Sequence, residues 1–544
     1  MYIFKTLKII NKKSFFYFLV FLTSLIWVNE ITYLFYDTTI SPDYAEYKIY
    51  FDYFLNPSLN TGREHGLSYY YIHYINYYLK YNSFDYSEVL LHKSIHEVNF
   101  YIYCFGLIGF FLVFKFLKFK SDLIFISFTF LNFFPISIVQ RIVFKPEILA
   151  YALLPWIVFF LEKYKKERKT IHLLLSIPFL VICITLKGNI LVLISVFIFL
   201  AFINEIIRLD KKILFLLITI FIISFSLVTI ENNKVNNKGI LEVQSGATLR
   251  ENYNNKAPIN TIYNINLFKL LTSPIKYNHS GSFIGITLLE TTGDYFDLYW
   301  DNDASIFFEN RISFLKFEIS NEITSPNIKV NPFFITIFTQ KETDLYIYEF
   351  LGLIMSLFFF FFLLKNIFKE QKFRLYKISV FIGMGLILFH TITGLPVNNF
   401  DPARGDTFKP QYYSFLFIFS TLFFIYSSLE NNKKAKFFIF IYIVSIIFIL
   451  GFPKYKTPEL MNSLSPFIEH SDFCEFEILY FGEKSLPEVA GCFDHKRQTD
   501  INKYFSKNFV FQPANLYSLI IILLISISVI IKEFTFNIKK FKII

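Results

Sequence analysis

The chain has 544 residues, of which 54% are hydrophobic and 18% are charged. This balance excludes an ordinary soluble protein, whose surface would then carry large apolar patches. The formal charge of +10 does not indicate nucleic-acid binding, because the Lys and Arg residues cluster between apolar runs and form no single stripe. We therefore expect an all-α integral membrane protein that crosses the bilayer several times.

Apolar runs of membrane-spanning length recur along the chain. We predict about twelve transmembrane helices, with large loops on the outer side of the membrane. The runs lie at about residues 14–34, 99–114, 123–139, 147–161, 172–185, 190–204, 213–230, 346–364, 378–395, 412–429, 437–452 and 516–531.

The basic residues predict the orientation of these helices. Lys5, Lys8, Lys12 and Lys13 precede the first run, and no small-residue cleavage site follows it. We therefore expect a signal anchor with its N-terminus in the cytoplasm. Each loop assigned to the cytoplasm is dense in Lys or Arg, and the long hydrophilic segments fall on the other side. The pattern predicts that both termini are cytoplasmic, and we expect the protein to lie in the bacterial inner membrane.

Long polar segments divide the chain into parts. We predict an N-terminal transmembrane module (1–230) with a catalytic first outer loop (37–97), a central outer loop (231–345), further transmembrane helices (346–452), an outer segment (453–515), and a last helix with a basic tail (516–544). Tyr and apolar positions in the first outer loop predict amphipathic helices at the membrane interface. The outer segment holds Cys474 and Cys492, which either form a disulfide in an oxidising compartment or are two unrelated thiols.

The first outer loop carries two carboxylates in four residues, Asp43 and Glu46. On a helix this spacing places both on one face, where their repulsion suits one of them to take up a proton as a base. The alternative is that Asp43 is only a solvated or helix-capping residue.

Further charged groups map to the same side of the membrane. Such a mixture suits a phosphate-bearing substrate, because Lys and Arg neutralise the phosphate while a carboxylate takes a proton from an attacking hydroxyl. For the cations, contact with lipid headgroups or ordinary solvation is the alternative. The groups are Arg63, Glu64, His65, Arg141, Lys145, Glu147, Lys187, Arg404, Asp406 and Lys409.

The order and sidedness of these motifs resemble those of the GT-C glycosyltransferases, polytopic enzymes that use polyprenyl-phosphate sugars, and in particular the glycosyltransferase 39 or protein mannosyltransferase-like group. The acidic pair is similar to the modified acidic motif of that superfamily. Residues 141–155 are similar to its turn between the third and fourth spans, and residues 185–188 and 409–413 to other recurring features. The late loop departs from the family, since Lys409-Pro410-Gln411 stands where many members have an Arg-Tyr pair.

The resemblance implies transfer of a sugar from a polyprenyl-phosphate donor to a glycan, lipid or protein acceptor. It implies that Asp43 is the base that activates the acceptor hydroxyl, and that Glu46 supports it or holds a divalent metal. By the same resemblance the residues that hold the phosphate are Arg141, Lys145, Lys187, Arg404 and Lys409, and secondary, acceptor-side residues are Arg63, His65 and Glu147.

Two other functional classes remain open. A transporter fits the span count, although carriers usually place ionisable residues in mid-span and have related halves. An envelope-polysaccharide polymerase or ligase is also a polytopic enzyme that uses lipid-linked sugars, although its main functional loop usually comes later in the chain.

Overall fold

A computed structural model gives the architecture of the chain. It describes residues 12–35, 44–58, 66–81, 88–134, 143–201, 203–207, 210–234, 266–272 and 414–431, together with residues 137, 140, 141, 285, 288, 353, 354 and 357. The described residues are mostly helical, and no strand lies among them. The spans predicted at 378–395, 437–452 and 516–531 and most of that at 346–364 lie outside these residues, as does the predicted cysteine pair.

Twelve helices make up the described part of the chain. They are α1 (Lys12–Phe35), α2 (Tyr44–Leu55), α3 (Ser68–Tyr81), α4 (Glu88–Phe116), α5 (Ser121–Asn132), α6 (Glu147–Glu167), α7 (Thr170–Thr185), α8 (Gly188–Ala201), α9 (Ile203–Ile207), α10 (Lys211–Lys234), α11 (Leu267–Thr272) and α12 (Ser414–Asn431).

A helix coincides with each of the first seven predicted spans and with the span at 412–429. By length and composition, two segments of the described residues, Leu90–Phe116 and Lys211–Glu231, are long and apolar enough to cross a membrane. Some helix boundaries differ from the predicted spans: the helix at the second span begins at Glu88, and the helix predicted to continue to residue 139 ends at Asn132. Pro135 explains the early end, because the ring of a proline disfavours helical backbone in the residue before it.

The centre of the structure is the close packing of α4 against α6. Two glycines of α4 permit it. A Cβ on Gly106 would lie 2.7 Å from a ring carbon of Tyr151 and 3.0 Å from Cα of Ala152, and a Cβ on Gly109 would lie 2.8 Å from the Trp156 indole. Small residues at such a contact allow two helix backbones to approach closely. The remaining helices then pack around this pair.

Helix α12 joins this centre from far along the chain. Its Phe419 ring lies 5.6 Å from the ring of Phe110 in α4, and its Tyr426 ring stacks on Phe119 at 4.1 Å between centroids. The Tyr426 hydroxyl also accepts a hydrogen bond from the backbone N–H of Lys120 at 3.0 Å. The late helix therefore shares one hydrophobic core with the N-terminal helices.

The two helices of the first outer loop dock on the same core. Tyr70 of α3 stacks on Tyr50 of α2 with 4.8 Å between ring centroids. Asn76 donates a hydrogen bond to Ser94 of α4 at 2.8 Å, and Lys80 forms an ion pair with Glu97 of α4 at 2.6 Å. The loop is thus held by aromatic packing and polar contacts along two neighbouring helices.

The two residues before α3 are hydrogen-bonded to the C-terminal ends of α7 and α10. The Gly66 N–H donates to the carbonyl of Leu186 at 2.9 Å, and the Leu67 N–H donates to Glu231 at 3.4 Å. A Cβ at Gly66 would lie 2.1 Å from the carbonyl oxygen of Thr185, so only glycine fits this approach. The start of α3 is therefore fixed beside the turn between α7 and α8.

Substituting Gly106 by Ala tests the central packing. The new Cβ meets the backbone of Ala152, which cannot turn aside as a side chain can, so we expect a loss of about 1–3 kcal/mol in the free energy of unfolding. Unfolding in detergent measures the change. Ile108→Ala, at a half-exposed position of the same helix, is the control and should cost clearly less; equal losses would contradict the close-packing role of Gly106.

Candidate functional site

Three charged side chains and a tyrosine, from three separate segments, meet at the N-terminus of α6. The Lys187 ammonium donates to Glu147 Oε1 at 2.9 Å and to the Tyr47 hydroxyl at 3.0 Å. The Lys145 ammonium lies 5.3 Å from the centre of the Tyr47 ring, and the Lys187 ammonium lies 5.4 Å from it. We call Tyr47, Lys145, Glu147 and Lys187 the lysine cluster.

The local sequence explains why each group points to this place. Glu147 follows Pro146 and is the first residue of α6, where a carboxylate is favoured by the helix dipole. Lys187 lies between the end of α7 and the start of α8, in the turn to which Gly66 is bonded. Tyr47 is in the first turn of α2, directly after Glu46. The starts of α2, α6 and α8 and the end of α7 therefore converge at the lysine cluster.

The lysine cluster is largely withdrawn from solvent. Lys145 and Glu147 are each 1% exposed, and the Lys187 side chain is 11% exposed. The ion pair neutralises Lys187 and Glu147 against each other, so Lys145 leaves the four residues with a net positive charge. Glu147 Oε2 is buried and has no hydrogen-bond partner within the described residues. An anion together with a hydroxyl donor would match these two features.

The turn that carries Lys145 is held from both sides. The Asn99 amide of α4 donates to the carbonyl oxygens of Arg141 at 3.1 Å and Val143 at 3.0 Å. The Phe144 ring packs edge-on against Tyr70, with 5.3 Å between centroids. Since residues 143–146 are not helical, these contacts replace the hydrogen-bond ladder of a helix.

Tyr69 of α3 completes the support of this turn. Burial raises the pKa of its hydroxyl well above the usual value, and the nearby Glu147 carboxylate adds to the rise. The hydroxyl therefore stays protonated, and it donates to Asn99 Oδ1 at 2.9 Å. All polar atoms of the Asn99 side chain thus have partners.

The structure places Arg141 in a different, fully buried setting. Its guanidinium donates to the carbonyl oxygens of Asn132 at 2.8 Å and Ser137 at 3.2 Å, and it lies 4.6 Å from the centre of the Tyr103 ring. Among the described residues it contacts no carboxylate. These contacts hold the chain between α5 and α6 in shape, and the guanidinium does not join the lysine cluster.

Several residues predicted for the site have no described side chain. Glu46 lies on α2, but its side chain is outside the described part. Within the part of the chain that the structure describes, no three His, Cys, Asp or Glu side chains are grouped to hold a metal ion. The residues that lie wholly outside are Asp43, Arg63, His65, Arg404, Lys409, Cys474 and Cys492.

Two residues of the site were not singled out from the sequence. Tyr47 belongs to the acidic motif but looks like one more aromatic residue in a chain with 36 tyrosines. Asn99 opens a predicted span, and a polar side chain at the edge of an apolar run is the one signal that marks it.

Comparison of the chain with protein-family models, with curated proteins and with solved structures finds no match.

Removing one member of the buried ion pair should be costly. In Lys187→Met the Glu147 carboxylate stays buried without its cation, so we expect a loss of about 3–5 kcal/mol in the free energy of unfolding. The double variant Lys187→Met, Glu147→Gln should lose less than the sum of the two single variants. Denaturant unfolding in detergent measures all three.

The control pair is Lys48 and Asp52, which are 2.6 Å apart on α2 and partly exposed. Breaking it should cost about 0.3–0.5 kcal/mol. Strictly additive losses for Lys187 and Glu147 would contradict a coupled pair.

His73 should make stability depend on pH. Its ring is packed 5.1 Å from the Phe144 ring, and burial lowers its pKa from 6.5 to about 3. The unfolded chain binds a proton below its ordinary pKa while the folded chain does not. Stability is therefore full above about pH 6.5 and falls, by up to about 1.4 kcal/mol per pH unit, as pH drops toward 3.

Unfolding measured between pH 7 and pH 4 tests this dependence. His73→Phe keeps an aromatic ring and removes the titrating group, so its stability should fall less steeply with acid. Parallel curves for the two proteins would show that another group is responsible.

Proposed function

We propose that this chain is a membrane glycosyltransferase of the GT-C type, which moves a sugar from a polyprenyl-phosphate donor to an acceptor on the outer side of the bacterial inner membrane. The observation that carries the proposal is the lysine cluster. Its residues come from the first outer loop, from residues 141–155 and from residues 185–188, which are three of the segments whose motifs resemble that superfamily. If these motifs form one active site, their residues are expected to lie together, as they do in the lysine cluster.

The charges of the lysine cluster support an anionic donor. A phosphodiester carries one negative charge, and the four residues of the lysine cluster carry one net positive charge. The Lys187 ammonium lies in the same cluster, where it is held by Glu147 and Tyr47, and adds to the positive potential at a bound phosphate. Glu147 Oε2 is suited to accept a hydrogen bond from a sugar hydroxyl. These contacts orient the donor and neutralise the leaving phosphate.

In the proposed reaction Asp43 is the general base. It takes the proton of the acceptor hydroxyl as that oxygen bonds to the anomeric carbon. The bond between the anomeric carbon and the phosphate oxygen breaks, and the electron pair leaves with the polyprenyl phosphate. The configuration at the anomeric carbon inverts. Asp43 lies four residues before Tyr47 in the chain, which supports its assignment to the same site.

The exposed apolar faces of the helices support a membrane setting. The residues Lys211–Glu231 of α10 are long and apolar enough to cross a membrane. On this helix Phe215, Phe221 and Ile222 are each more than half exposed. Lipid chains cover such faces without a hydrophobic penalty.

The proposed base is tested with Asp43→Asn in reconstituted membranes. We expect sugar transfer from a panel of polyprenyl-phosphate hexoses and pentoses to fall by about 10²- to 10⁴-fold, with normal expression. Asp52→Asn, in the same loop, is the control and should retain transfer. Near-normal transfer by Asp43→Asn would exclude this base, and flux of substrate across sealed vesicles without a new glycosidic bond would favour a carrier.

A further inference from the structure

Asn99 is a buried amide with three partners on two different elements. It is 0% exposed, and it links α4 to α3 through Tyr69 and to the turn before α6 through the carbonyls of Arg141 and Val143. Two carbonyl oxygens face the same end of the amide, and only the NH₂ group can donate to both. The orientation of the side chain follows from its surroundings.

The bonded carbonyls belong to the segment that presents the lysine cluster. Val143 is two residues before Lys145 and four before Glu147. Between them the backbone is irregular, so its course depends on contacts made by neighbouring elements. The Asn99 amide bonds two backbone carbonyl oxygens of this segment, and the Tyr69 hydroxyl that donates to Asn99 also bonds to the backbone of Lys145.

We propose that Asn99 is a positioning residue of the site: it fixes the turn that carries Lys145 and Glu147, so that the Lys145 ammonium is placed for the phosphate and the Glu147 carboxylate is placed to hold Lys187. The phosphate role rests on the proposed function, whereas the fixing of the turn does not. Loss of the amide releases the turn while the two charged side chains remain present, which weakens ligand binding through misplacement alone.

Asn132 provides a matched control. It is also 0% exposed, its Oδ1 accepts from the Tyr103 hydroxyl at 3.0 Å, and its amide donates to Ser24 at 3.0 Å. Asn99→Ala and Asn132→Ala therefore remove the same atoms from equally buried places. The Asn132 side chain, however, makes no contact with the turn at residues 143–146 among the described contacts.

The first readout is the acetylation of Lys145 by acetic anhydride, followed by mass spectrometry with the exposed Lys169 as internal reference. Lys145 is 1% exposed and should react slowly in the unaltered protein. We expect its rate to rise severalfold in Asn99→Ala and to stay low in Asn132→Ala. Equal rates in the two variants would overturn the proposal.

The second readout is the binding of farnesyl monophosphate in detergent. We expect Asn99→Ala to weaken it by about 10- to 100-fold, and Asn132→Ala to leave it nearly unchanged. If the unaltered protein does not bind this phosphate while the acetylation rates still differ, the proposed function fails and the positioning role stands. If Asn99→Ala does not fold, Asn99→Ser and Asn132→Ser, which keep one hydroxyl donor, decide by the same comparison.

Discussion

The structure depends on the burial of an ion pair between Glu147 and Lys187. Taking two charges out of water costs several kcal/mol for each ion, and the cost is recovered only when the geometry is good and other hydrogen bonds are present. Here the distance is 2.9 Å, and the Tyr47 hydroxyl supplies a further bond to the ammonium. The pair therefore requires three chain segments to be in place at once, and this requirement shapes the end of the helix bundle around it.

Other buried polar side chains are stabilised by hydrogen bonds to uncharged partners. Arg141 is buried without a carboxylate among the described residues, and two nitrogens of its guanidinium donate to backbone carbonyl oxygens beside the Tyr103 ring. Asn99 and Asn132 each accept a tyrosine hydroxyl and donate elsewhere. Buried polar groups in an apolar helical core are tolerated when they have partners. In this chain those partners tie neighbouring helices and the irregular segments between them into one body.

Pre-organisation connects this interior to the proposed reaction. A site that binds a lipid phosphate gains from cations whose positions are set before the ligand arrives, because little reorganisation is then needed. The lysine cluster has this character: Lys145 and Glu147 follow a turn held by an amide and an aromatic ring, and Lys187 is held by its own ion pair. Asp43, the proposed base, directly precedes α2 in the sequence, and the first turn of α2 contributes Tyr47 to that cluster.

The sequence by itself determined the helical class, the approximate place of each early helix and the set of charged residues worth attention, because apolar runs and basic loops are local signals. It also predicted that residues 145 and 187 belong together, through a resemblance between motifs. The end of α5 was predictable in principle from Pro135, although the apolar run across it hid that signal.

Only the tertiary structure decided which charged residues meet. Arg141 and Lys145 are four residues apart and look equivalent in the sequence, yet one is bonded within the core and the other stands beside Tyr47. The hydrogen bonds from Asn99 to the turn before α6 could not be predicted from the sequence either, because the partners of Asn99 lie about 30 and 40 residues away along the chain. The physical reason is that spans and loops follow from local composition, whereas the partner of a buried polar group is set by how distant helices pack.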